Sequence, residues 1–178
     1  MLQYETVPVT PFQQNCSIVW CDETMEGTAV DPGGDFEVIR GHLERMGAKV
    51  ASIVHTHTHI DHVGGHAAMK KLTGAQILAS AADARTIESG GADDFIPWPQ
   101  DTILYAPAKV DRLVADGERV TLGGVTLTAR ITPGHTRGAT TWTMEVEDAG
   151  VQRHVAFFSS ASINAGTRLL DNPRYPDF

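Results

Sequence analysis

The sequence predicts an α/β protein built in layers, on three observations. Short apolar strands alternate with helical patterns through the first half of the chain. The second half is a run of strands separated by glycine turns. No repeat, low-complexity tract or linker divides the 178 residues, so one domain spanning 1–178 is expected.

Residues 6–9, 17–20 and 27–30 read as strands, the last closed by the turn Asp31-Pro32-Gly33-Gly34. Phe36, Ile39, Leu43 and Met46 recur at helical spacing, so 36–46 is a helix, with Asp35 as its expected N-cap and Gly47 as its stop. Residues 50–54 read as a buried strand. Gly64-Gly65 then leads into a helix over 66–72, a short strand over 76–79 and a small helix over 82–88. Residues 90–99 hold glycines and prolines that exclude regular structure, yet they include Phe95, Ile96 and Trp98. Strands over 111–114, 119–122 and 125–131 form a meander with turns at Asp116-Gly117 and Gly123-Gly124, continued by 140–146 and 154–158.

Apolar residues make up 42 % of the chain, enough for a core. No apolar run is long enough for a membrane span. The opening residues show neither a basic nor an apolar signal region, which points to the cytoplasm, or to the periplasm if a signal has been removed. The formal charge of -8, from 14 basic and 22 acidic residues, argues against a nucleic-acid partner. The only cysteines, Cys16 and Cys21, lie five residues apart and face opposite sides of a strand, so they are expected as small buried side chains and not as a disulfide.

The chemistry is concentrated in Thr56-His57-Thr58-His59-Ile60-Asp61-His62, directly after the strand over 50–54. Histidine is the commonest transition-metal ligand, and aspartate supplies an oxygen donor that zinc also accepts. In an extended loop, residues two apart project to one side, so His57 and His59 can reach one ion. His135, in Thr132-Pro133-Gly134-His135-Thr136, can complete that point. Three imidazoles and one open position make a catalytic zinc arrangement, not a closed structural one. Asp61 and His62 can face a second ion but still need ligands. The expectation is a hydrolase with two zinc sites, the second incomplete, in which Asp61 also orients or deprotonates the attacking water. Iron and manganese suit the same donors. His55 and His66 flank the motif, on the strand and on the following helix; His42 and His154 are expected to be structural or surface residues.

The His57-to-His62 pattern with Gly134-His135-Thr136 resembles the metallo-β-lactamase superfamily. The resemblance implies an αββα sandwich with the metals at one edge of the two sheets. Residues 1 to about 66 resemble glyoxalase II-like hydrolases, through Pro8-Val9-Thr10-Pro11-Phe12-Gln13-Gln14-Asn15-Cys16 and Val30-Asp31-Pro32-Gly33-Gly34-Asp35. From about residue 67 the chain resembles the third subclass of metallo-β-lactamases. The similar stretches are Gly90-Gly91-Ala92-Asp93-Asp94-Phe95, Lys109-Val110-Asp111-Arg112-Leu113-Val114, Gly134 to Trp142, Asn164-Ala165-Gly166 and Asn172-Pro173-Arg174-Tyr175-Pro176. It implies a small-molecule substrate, with Phe95, Ile96 and Trp98 as an apolar wall and Ser160, Ser162 and Asn164 as contacts to a substrate carboxylate or carbonyl.

Two departures shape the expectation. Glyoxalase II-like enzymes carry a bridging aspartate after a late strand, whereas Phe157-Phe158-Ser159-Ser160-Ala161-Ser162 holds no carboxylate. This favours β-lactam hydrolysis over thioester hydrolysis. The family also supplies a final metal histidine, and none follows His154. The sandwich is therefore expected to lack its C-terminal part, giving a weak metal binder with little turnover as a third reading. A sheet or core surface left exposed there would favour homo-oligomers.

Overall fold

The computed structural model describes residues 1–96, 103–122, 125–168 and 170–176. The expected turn at Gly123-Gly124 and the side chain of Trp98 lie outside them. Six strands form the first sheet in the order β1-β2-β3-β4-β5-β6. They are β1 (Leu2–Val9), β2 (Gln14–Cys21), β3 (Glu26–Val30), β4 (Lys49–Val54), β5 (Gln76–Ser80) and β6 (Arg112–Val114). β1, β2 and β3 pair antiparallel, and β3 to β6 pair parallel. The crossovers between parallel strands carry α1 (Phe36–Met46), α2 (Ile60–Val63), α3 (His66–Thr73) and α4 (Ala81–Glu88). The second sheet is antiparallel, in the order β10-β9-β8-β7, from β7 (Arg119–Leu122), β8 (Val125–Ile131), β9 (Thr140–Asp148) and β10 (Val151–Phe157).

The core has two layers because the first sheet is buried on both faces. Cys16, Ile18, Ala29, Ile53, Ile77 and Ala79 face the helices, packing with Ile39, Leu43, Met69 and Ile87. Val19, Val30, Val54 and Leu78 face the second sheet, against Val120, Leu127, Ala129 and Trp142. The strands of this sheet therefore read as nearly continuous apolar runs, as parallel strands covered on both sides do. Cys16 and Cys21 are unpaired and divide between these two layers, as their spacing requires. The helices pack on the first sheet. The outer face of the second sheet presents Thr126, Thr128, Arg130, Thr143 and Glu145, so that open surface is polar. No helix of the described residues is long and apolar enough to cross a membrane.

One expected cap is not made. Asp35 precedes α1 in the left-handed region, at φ 46°, and makes no side-chain bond to the helix. Its carboxylate instead accepts the backbone N–H of Thr10 at 2.7 Å, tying α1 to the β1–β2 turn.

Candidate metal centre

The first sheet ends at the site. β4 stops at Val54, and residues 55–59 continue as an open loop into the single-turn helix α2. His59 is extended, at φ -74° and ψ 151°, so His57 and His59 project to one side. The second sheet delivers His135 from the loop between β8 and β9. Two bonds lock that sheet to the histidine loop: Thr140 N–H donates to Thr56 O at 2.8 Å, and Trp142 Nε1 donates to His55 O at 2.8 Å. One ring nitrogen from each of His57, His59 and His135 falls within 4.8 Å of the others. The three rings stand nearly perpendicular to one another, with centroids 4.5–4.8 Å apart.

The groups behind these rings select the nitrogens that face inward. His135 Nδ1 donates to Ser162 O at 2.9 Å, leaving Nε2 for a ligand. Thr56 Oγ1 donates to Asp31 Oδ2 at 2.7 Å and lies 3.2 Å from His57 Nδ1, whose proton it accepts. His59 Nε2 lies 3.8 Å from the buried Asp94 carboxylate. Burial and the neighbouring His62, His59 and His135 push the His57 pKa far down. Burial, His135 and His62 bring that of His59 to about 3. Both rings are thus neutral, the form that binds a metal. Convergence, neutrality and backing hydrogen bonds fit a metal ion held by the three imidazoles.

Asp61 and His62 lie beside this triad. Asp61 Oδ2 is 3.4 Å from His62 Nε2, and the His57 and His62 ring centroids are 3.8 Å apart. His62 Nδ1 donates to Asp31 Oδ2 at 2.9 Å, while Asp31 Oδ1 accepts Thr56 N–H at 2.6 Å. Asp31 therefore organises His57, through Thr56, and His62. Its sequence context showed only a turn. Among the described residues, the triad is the one group of three or more metal-type donors, and Asp61 and His62 stand outside it.

That turn is also a platform. A Cβ on Gly33 would sit 1.5 Å from Asp61 O, and one on Gly65 would sit 2.4 Å from Pro32 O. Backbone thus meets backbone under α2. Gly33→Ala is expected to destabilise the fold by about 1–3 kcal/mol and to displace Asp61. Urea unfolding checks the first effect; an unchanged midpoint would contradict the close approach.

A cavity of about 460 Å³ opens over the triad. Ser160, Ser162 and Asn164 line it, with Asp61, His62, Ser159 and Asp94. Phe95 and Ile96 do not form the expected apolar wall. Both are buried, and Phe95 packs on Tyr175, with ring centroids 5.2 Å apart and the Arg137 guanidinium 5.9 Å from the Phe95 ring. Phe12, Ile60, Ile103 and Tyr105 supply the apolar lining instead. The single proton of the Tyr105 hydroxyl is shared between Thr58 O at 3.3 Å and Thr86 O at 3.2 Å, bracing the histidine loop. His55 and His66 are fully buried behind the site, 5.4 Å apart, and belong to the core. His42 pairs with Glu5, and His154 is exposed 3.6 Å from Glu145.

Comparison with known proteins agrees with this geometry. The chain is 28 % identical to the hydroxyacylglutathione hydrolase GloC of Haemophilus influenzae over 97 % of its own length and 78 % of that protein. It is 33 % identical in sequence to the solved FEZ-1 metallo-β-lactamase of Legionella gormanii, with a TM-score of 0.84, covering 91 % of this chain and 63 % of that one. BJP-1, a subclass B3 metallo-β-lactamase of Bradyrhizobium japonicum, gives 34 % identity and a TM-score of 0.80, over 92 % and 62 %. The chain thus spans less than two thirds of these solved enzymes. The sequence pattern of the Metallo-beta-lactamase superfamily matches residues 9–149. With its two packed sheets and its triad at their common edge, the chain belongs to the metallo-β-lactamase superfamily of metallo-hydrolases.

Proposed function

We propose that the chain hydrolyses the amide of β-lactam rings, with zinc held by His57, His59 and His135. The observation that carries this reading is the cavity rim. Beside the triad, the stretch after β10 presents Ser160, Ser162 and Asn164 and no carboxylate. Hydroxyl and amide donors suit the carboxylate that β-lactams carry, whereas an aspartate there would repel it. The likeness to FEZ-1 and BJP-1 over most of this chain supports the same reading.

A zinc ion in such a site makes water acidic enough to ionise near neutral pH and polarises a carbonyl. The protein's own groups do the rest. His57 and His59 stay neutral and hold the ion. Asp61 lines the cavity and offers a carboxylate oxygen to orient water and accept its proton. Phe12, Ile60 and Ile103 cover the apolar part of the substrate. Asp31 keeps His62 turned toward Asp61.

GloC, similar over 97 % of the chain, favours thioester hydrolysis as a second reading. One experiment separates the two. With zinc added, nitrocefin hydrolysis abolished by a chelator, and no turnover of S-lactoylglutathione, is the expected result. Thioester turnover without β-lactam turnover would replace the first reading with the second. Neither activity in a zinc-loaded chain would leave it a metal binder.

A further inference from the structure

We infer that Asp83 is a positioning residue that fixes the His135 loop from behind. Asp83 sits in the first turn of α4 and is 1 % exposed. Its backbone N–H donates to Ser80 Oγ, the helix cap, at 3.2 Å. Its side chain points away from α4, into the loop. Oδ1 accepts Gly138 N–H at 2.8 Å, and Oδ2 accepts Thr136 Oγ1 at 3.1 Å. The Gly138 carbonyl is taken from the other side, by Ser80 Oγ and Thr140 Oγ1, each at 2.9 Å. Both polar groups of the Gly138 backbone and the Thr136 hydroxyl are therefore anchored to the end of β5, the start of α4 and the start of β9.

The packing is close enough to exclude any side chain at position 138. A Cβ there would lie 2.0 Å from Ser80 Oγ and 2.8 Å from Asp83 Cγ. On the other side of His135, Gly134 adopts φ 147°. The metal-ligand histidine thus sits between a glycine that imposes no backbone preference and a glycine clamped by a carboxylate. Among the described residues, the His135 ring has one hydrogen bond, from Nδ1 to Ser162 O. Its loop is closed by Gly134 N–H on Thr136 O at 3.0 Å and Thr132 N–H on Ala139 O at 2.7 Å, and Asp83 fixes that closed loop to α4.

The choice of a carboxylate calls for a reason. A buried Asp is costly to ionise, and burial raises this one to about 7. Its nearest basic group, His55 Nε2, is 3.7 Å away and is kept uncharged by its own burial, with a pKa near 4. Asp83 is thus not half of a salt bridge. What distinguishes it is two acceptor oxygens spaced to bind two donors of one loop. That role is geometric, and it connects α4 to the metal triad without touching the metal.

This inference rests on the reading of His57, His59 and His135 as metal ligands. Its test uses zinc and cobalt(II) as probes, with chelator competition for affinity, the visible cobalt spectrum for ligand geometry and thermal melting of the metal-free protein for folding. Asp83→Ala is expected to weaken zinc binding by about 10–100-fold and to shift the cobalt bands. Asp83→Asn, which keeps an acceptor for Gly138 and a partner for Thr136, is expected to restore both, even where melting differs. Wild-type affinity and spectrum in folded Asp83→Ala would overturn the inference alone. A wild-type chain that binds neither ion would overturn the ligand assignment and the inference together. Where Asp83→Ala does not fold, Thr136→Val removes one bond only. A several-fold loss of affinity then supports the inference, and an unchanged affinity overturns it.

Discussion

His57→Ala is expected to weaken zinc binding by at least about two orders of magnitude, and to remove hydrolysis with it. A zinc site with four protein ligands is worth roughly 10–16 kcal/mol, so one ligand carries about 3 kcal/mol, or about 100-fold. His57 is the central donor: its ring meets those of His59, His62 and His135. Thr56 beside it offers no replacement, because it is committed to Asp31 through both its backbone N–H and its hydroxyl. The metal-free fold should survive the change. His57 contributes a desolvated ring held among three other imidazoles, which costs stability when no metal is present. His154→Ala is the control, since that ring stands exposed on β10. Zinc content by mass spectrometry and metal-free melting settle the matter together; full zinc occupancy in purified His57→Ala would exclude the triad as the metal site.

The second large effect is loss of stability in acid. His55 and His66 are fully buried, and burial holds His55 down to about 4 and His66 well below its ordinary value of 6.5. In the metal-free protein His57 and His59 are displaced in the same direction. An unfolded chain takes up protons on these rings near pH 6.5, and the folded chain refuses them. The stability they contribute is present above pH 6.5 and is lost as pH falls toward 4. For His55 alone that loss is roughly 3 kcal/mol by pH 4. Asp83 acts with the opposite sign. Its pKa, raised to about 7, lets the folded chain bind a proton that the unfolded chain takes up only near 3.8. This offsets about one histidine and leaves the others. Urea midpoints of chelator-treated protein should therefore drop steeply between about pH 6.5 and 4.5. His66→Gln should flatten the profile. A midpoint constant across that range would contradict the burial of these rings.

The fold and the three converging histidines were legible in the sequence because both are written locally. Strand and helix periods, the glycine turns and the clustered histidines each occupy a short window. The partners that make the site work are not local. Asp31 reads as part of a turn, yet its carboxylate serves Thr56 and His62, about thirty residues away. Asp94 reaches His59, and Asp83 reaches Gly138, through the packing of loops on sheet edges. Phe95 misled for the same reason. An aromatic residue in a glycine-rich loop suggested a substrate wall, but Tyr175 and Arg137, both distant in sequence, pack against it. Asp35 lost its capping role to Thr10, a residue of the preceding hairpin. Local chemistry named the residue types, and tertiary contacts chose among their uses.

The triad joins the two halves of the chain, with His57 and His59 beyond β4 and His135 beyond β8. A metal ion there is a cross-link closing a loop of roughly 80 residues. In a disordered chain such closure costs about 4 kcal/mol of chain entropy before any bond forms. The folded scaffold has already met that cost, so it captures the ion far better than the nascent chain does. A metal bound there would act as a clasp between the two halves, stabilising the folded chain over the unfolded one.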